Sequence, residues 1–268
     1  DYYFEQNNFA KADLSYAALI REKYLPLVPY AVYRRAWCAY NGGKTQKAVD
    51  YLKWVILYED QYFGKTRIRN EALQDIARPL AELGLVEEAD SIYSRFDAPV
   101  YRKGLETIAG YLLEKGDYNR AISIWSKLIR FEPNSPRSAD IHLSIIQALK
   151  LKNDRKTLHS FLRATVAVFA TKKEASKFEE PLRHTAYDLH NEFDKTKKSD
   201  LLPQAESLYL DHLKHFPTSA HAQKIHVNLA RVYLLQNSYA AAAQELATAA
   251  KMGPDAKLAE DSLKQAVN

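Results

Sequence analysis

The side chains in this sequence that could ligate a metal or move a proton are scattered, and that scatter is informative. His212 and His215 stand three residues apart with His221 and His226 beyond them, while His184 and His190 are six apart. None of these pairs makes the HExxH arrangement that sets two imidazoles one helical turn apart, so no zinc site is expected. Cys38 is the single cysteine, which rules out an intrachain disulfide and a cysteine-based metal site. That usage fits a reducing compartment and a bacterial periplasm nearly equally. There is no glycine-rich phosphate loop and no GxSxG elbow, and the carboxylates mostly fall on helical faces that water would cover. The reading is of a chain with no catalytic residues, no metal and no cofactor.

What the sequence does concentrate is the chemistry of recognition. Tyr30, Tyr33, Trp37 and Tyr40 recur at i, i+3, i+7 and i+10, which places four aromatic side chains on one side of a helix. Val32, Ala36 and Ala39 already supply the core side of that helix. Tyrosine and tryptophan hide a large area and keep a polar handle, so they dominate binding hot spots. Two readings stand: the stripe anchors a partner, or it packs against the preceding unit and its loop. Tyr51, Trp54 and Tyr58 make a second stripe further on, to be buried by the next hairpin or exposed on the outer wall.

The elements that must carry these stripes are legible in LETIAGYLLEKGDYNRAISIWSKLIRFEP, residues 105–133. Leu105, Ile108, Ala109, Leu112 and Leu113 form one helical face, and Ala121, Ile124, Trp125, Leu128 and Ile129 form another. Between them, Gly116 suits the left-handed residue that ends a helix, and Asp117 suits the N-cap of the next. Pro133 stops the second helix, since it has no N–H and its ring blocks the turn before it. Trp125 falls on the core face. The unit is a helical hairpin of about 34 residues, the length at which repeat arrays are sought.

Ala109, Gly116, Ala121, Trp125 and Pro133 resemble the tetratricopeptide repeat: a small residue in the first helix, a turn glycine, then alanine, a bulky residue and proline in the second. The scheme recurs along the chain. Its second-helix alanines are Ala12, Ala48, Ala89, Ala121, Ala205 and Ala242, spaced 36, 41, 32, 84 and 37 residues apart. The gap of 84 holds a degenerate unit with Ile146, Asn153 and Leu158 in the small, turn and alanine places. The units are 1–29 (partial), 30–60, 70–100, 102–135, 137–170, 177–217 and 221–254, followed by a capping helix at 255–267 begun by Asp255. Pro79 falls inside a first helix and should kink it or loosen its start. Ser135 and Pro136 are expected to cap and open the helix that follows, and Asp194 to Asp200 to form a solvated lysine-rich loop. The expected fold is all-α, a single solenoid over 1–268, and the resemblance implies a right-handed superhelix.

The resemblance also implies that first helices line a concave groove in which peptides or partner helices lie. Besides the aromatic stripe, the groove positions are Gln74 and Arg78, Glu106 and Gly110, Leu143 and Gln147, Arg183 and Tyr187, and Val227 and Arg231. Relatives that clamp a terminal carboxylate place lysines and asparagines there; this chain lacks that set. Arg78, Arg183 and Arg231 could still hold acidic side chains, or simply be solvated. Residues 30–56 (YAVYRRAWCAYNGGKTQKAVDYLKWVI) are also similar to repeats of bacterial envelope-associated and gliding-motility proteins, which tilts the expected location toward the periplasm.

Composition sets the outer limits. With 47% hydrophobic and 26% charged residues, eight glycines and ten prolines, the chain is neither collagen-like nor disordered. No apolar run is long enough to span a bilayer. A start at Asp1, partway through a repeat and without methionine, implies a processed protein or an expressed fragment. A net charge of +5 favours acidic partners only mildly and is too small to indicate nucleic acid alone. The function expected is a non-catalytic scaffold that binds protein segments within a larger assembly, one that could be associated with a membrane. RNA binding through stacking aromatics, or service as the accessory domain of a larger enzyme, are the alternatives.

Overall fold

Residues 1–22, 27–59 and 68–252 are described by a computed structural model. Every regular element among them is helical. The helices pair as antiparallel hairpins. In the first half these are α1 (Tyr2–Glu5) with α2 (Phe9–Arg21), and α3 (Val28–Asn41) with α4 (Thr45–Tyr58). Next come α5 (Ile68–Asp75) and α6 (Ala77–Leu83) with α7 (Val86–Tyr93), then α8 (Ala98–Glu114) with α9 (Tyr118–Phe131). The second half contains α10 (Ser138–Leu151) with α11 (Arg155–Phe169), and α12 (Glu179–Thr196) with α13 (Leu201–His215). It ends in α14 (Ala222–Leu235) with α15 (Tyr239–Met252). Contacts divide the chain into two compact units, Asp1–Ser138 and Ala139–Asn268.

Within each unit the repeat scheme is the packing scheme. The small first-helix residues Ala36, Ala77, Ala109, Ile146, Ala186 and Ala230 are all buried, and so are the second-helix alanines from Ala12 to Ala242. The bulky residues four places later, Tyr16, Leu52, Tyr93, Trp125, Tyr209 and Leu246, are buried as well. Small residues bring the helix axes close, and the bulky ones fill the space between neighbouring hairpins; each aliphatic chain so buried contributes about 1.5–3 kcal/mol. In the degenerate hairpin Leu158 and Leu162 hold the same two places, both buried.

The turns show why the hairpins form. One residue in each adopts a left-handed backbone: Asn7, Gly43, Gly84, Gly116, Asn153, Lys197 and Asn237. Three of them are followed directly by an N-cap side chain. Asn8 accepts from the Lys11 amide, Asp117 from that of Arg120 and Asp154 from that of Thr157.

At several places the structure refines the sequence reading or differs from it. Pro79 disturbs its helix as expected: α5 ends at Asp75 and α6 begins at Ala77, with Ile76 still right-handed and bonded to Ala72 and Leu80, because proline offers no N–H to the Asp75 carbonyl four residues back. Pro136 lies in a turn ahead of α10, not at its first position; the Ser135 hydroxyl accepts from the Arg137 amide within that turn. A 3-10 turn at Lys173–Phe178 precedes α12 and buries Phe178, an anchor the sequence reading did not name. Pro26, Asp60, Pro254 and the capping helix at 255–267 lie outside the described residues.

Candidate functional site

On α3 the core side is as the spacing required: Val32, Ala36 and Ala39 are buried, together with Cys38. Burial pushes the Cys38 thiol up to about 11, so it stays protonated and inert. The other side carries Tyr30, Tyr33, Trp37 and Tyr40, each half-buried. Their polar ends are engaged. The Tyr30 hydroxyl donates to Asp1 at 2.9 Å, that of Tyr33 to Asp75 Oδ2 at 2.5 Å, and that of Tyr40 to Glu82 Oε1 at 2.5 Å. The Trp37 and Tyr40 rings meet edge to face with centroids 5.8 Å apart. The stripe therefore leans on the preceding hairpin through Tyr30 and on the following one through Tyr33 and Tyr40, while its rings keep part of their surface.

Burial, with the neighbouring carboxylates adding to it, raises the Tyr33 and Tyr40 phenols to about 12. Both remain donors at neutral pH and offer no acid–base chemistry. Arg78 is exposed and shares Glu82 with Tyr40, its Nε lying 3.3 Å from Oε1. Next to this row, Asn70, Leu73, Gln74, Asp75, Tyr93, Thr107 and Tyr111 line a cavity of about 560 Å³ between the α5–α6 pair and α8. Glu106 is ion-paired with Arg102 and Arg137, and nothing lies within 4 Å of the position a Gly110 side chain would take.

In the second unit Arg183 and Tyr187 sit together on α12. The Arg183 Nε lies 3.2 Å from Glu179 and its guanidinium 5.9 Å from the Tyr187 ring centre. Glu179 also faces His212 Nε2 at 2.7 Å and accepts from Ser219 Oγ at 3.2 Å. Although burial opposes its charge, the donors His212 and Arg183 hold its carboxyl below the usual range. Tyr187 and the exposed Arg231 line a second cavity of about 250 Å³ with the buried His190, Tyr209 and Asn228. Val227, placed in the groove by its register, is buried instead, because α14 is enclosed on more than one side and buries most of its apolar residues. On the second helix of the aromatic unit, Tyr51 and Trp54 are half-buried and Tyr58 is exposed; Arg35 covers the Tyr51 ring at 4.8 Å.

Sequence reasoning missed Asp75 and Glu82, the carboxylates that receive the stripe's hydroxyls. One signal was available for Asp75: it stands four residues before Pro79, where a helix must open. Among the described residues there is no cluster of three or more metal-ligating side chains, and no helix is long and apolar enough to cross a membrane.

Comparison with known proteins agrees with the packing at both ends of the chain. A model of the tetratricopeptide repeat matches residues 1–60 and 199–257. A search of curated proteins found no match. Solved structures that resemble the chain include the C-terminal part of a tetratricopeptide repeat-containing protein from Cytophaga hutchinsonii, 20% identical over 98% of this chain and 97% of that one, with a TM-score of 0.40. A tetratricopeptide repeat protein from Parabacteroides merdae is 16% identical over 99% of this chain and 95% of its own, with a TM-score of 0.38. At such values neither partner nor activity carries across.

Proposed function

We propose that this chain is a non-catalytic scaffold that binds a protein segment, a peptide or a partner helix, on the first-helix face of its hairpins. In the first unit Tyr30, Tyr33, Trp37, Tyr40 and Arg78 would contact the segment; in the second, Arg183, Tyr187 and Arg231. The observation that carries this reading is the row of half-buried aromatic rings on α3, held at their hydroxyl ends and lying next to an open cavity of about 560 Å³. Rings already fixed in place lose little freedom when a partner covers them, which is what makes tyrosine and tryptophan effective anchors. The sequence matches to a repeat family of interaction scaffolds at residues 1–60 and 199–257 support the same reading. Asp75 and Glu82 beside the aromatics, and Glu106 on α8, give the first-unit face mixed sign, which disfavours a phosphate backbone as its ligand. The likeness of residues 30–56 to envelope-associated repeats supports placing the larger assembly at a bacterial envelope.

The test is affinity capture from native lysate with the wild-type chain and with Trp37→Ala plus Tyr40→Ala, read by mass spectrometry. Loss of specific partners at unchanged helicity by circular dichroism is the expected result. Retention of the same partners by a folded double variant would overturn the assignment of this face.

A further inference from the structure

We propose that the cavity between the α5–α6 pair and α8 receives a lysine or arginine side chain of the bound protein segment, with Asp75 as its counter-ion. This rests on the partner-binding reading of the aromatic face and names the residue chemistry that the face takes. The cavity, about 560 Å³, has room for a long side chain. Its walls suit one: the Tyr93 and Tyr111 rings with Leu73 and Val100 offer an apolar sleeve for a methylene stem. At the polar end stands Asp75. Its Oδ2 accepts from the Tyr33 hydroxyl, and among the described residues no lysine or arginine forms an ion pair with it.

A half-buried carboxylate held by one neutral phenol has acceptor capacity left over and a charge that its surroundings do not match. An ammonium or guanidinium group, which brings several donors and a positive charge, satisfies both needs. Burial first, then Asp75 and Glu71, keep the Tyr33 phenol protonated, so it remains the donor that orients the carboxylate. Lys103 lines the same cavity but is exposed and makes no ion pair with Asp75. The open space at Gly110, two turns along α8 from Lys103, leaves room for the backbone of an incoming segment.

Amide-resolved NMR of the full chain at low salt tests this with N-acetyl-lysine N-methylamide, its arginine and norleucine counterparts, and putrescine as probes. The capped lysine and arginine should shift the amides of Asp75, Gly104 and Thr107, saturating in the millimolar range, while norleucine leaves them in place. Asp75→Asn should weaken the lysine probe about tenfold or more, and Tyr33→Phe a few-fold. Equal shifts from norleucine, no shift from either basic probe, or full affinity in Asp75→Asn would overturn the proposal. Markedly tighter binding of putrescine would also overturn it, by making a free amine the occupant. Should Asp75→Asn not fold, the lysine–norleucine contrast and Tyr33→Phe decide the matter. If partner capture still depends on Trp37 and Tyr40 while the basic probes leave the spectrum unmoved, this inference alone fails and the scaffold reading stands.

Discussion

Tyr93 and Gly104 carry one of the tightest fits in the molecule. The Tyr93 ring is buried, its hydroxyl donates to the Leu73 carbonyl at 2.6 Å, and a Cβ on Gly104 would lie 2.3 Å from the ring. The ring is pinned at both ends, so an added methyl group must move α8. Gly104→Ala should therefore cost about 1–3 kcal/mol, seen as a lower denaturant midpoint. Gly110 in the same helix is the control. Nothing lies within 4 Å of its missing Cβ, so Gly110→Ala should stabilise by about 0.5–1 kcal/mol through helix propensity alone. Two glycines six residues apart thus have opposite expected effects, and only their surroundings separate them.

At the scale of helices and turns, the hairpins depend on one left-handed residue each. Six of the seven such residues are glycine or asparagine, types that tolerate this backbone; Lys197, at φ 55°, is the exception. Its side chain gives a little back, its ammonium lying 5.1 Å from the Phe193 ring centre at an exposed site. Lys197 and its partner Asp194 are both largely exposed, 3.6 Å apart, and such pairs contribute little. Lys197→Gly should raise stability by about 0.5–1 kcal/mol in denaturant unfolding, net of the entropy that glycine adds to the unfolded chain. The helices on either side of these turns were legible in advance because their signals are local: apolar spacing, a turn residue, a cap. The 3-10 turn before α12 was not: Phe178 stands four residues before Leu182, in register with the buried face of α12, so apolar spacing marks the anchor but not the change from 3-10 to α backbone.

On the scale of the whole chain, titratable and fluorescent residues are segregated. All eight histidines fall between His142 and His226, in the unit Ala139–Asn268, while the three tryptophans, Trp37, Trp54 and Trp125, fall in Asp1–Ser138. Burial, the leading cause in each case, lowers His159, His190 and His212 below the ordinary value near 6.5. Each imidazole is neutral when folded and gains a proton on unfolding below that value. Their stabilisation is complete above about pH 6.5 and is lost as the pH falls toward the lowered folded values, by up to about 1.4 kcal/mol per pH unit for each group. Between pH 7.5 and 5.5 the second unit should weaken first. Helicity by circular dichroism should then fall on mild heating before tryptophan fluorescence changes; coincident transitions at both pH values would contradict this.

The amino-acid sequence alone determined the helical hairpins, the glycine or asparagine that closes most of the turns and most of the faces that are buried, because those depend on interactions within a few residues. It also singled out the aromatic stripe on α3. Only tertiary structure decided that Tyr33 and Tyr40 reach carboxylates 42 residues further on, that Asp75 is left without a cation beside a cavity, and that Val227 turns inward. Such contacts are made between successive hairpins, and their partners depend on how the units pack in space, which the spacing of residues within any one hairpin does not specify.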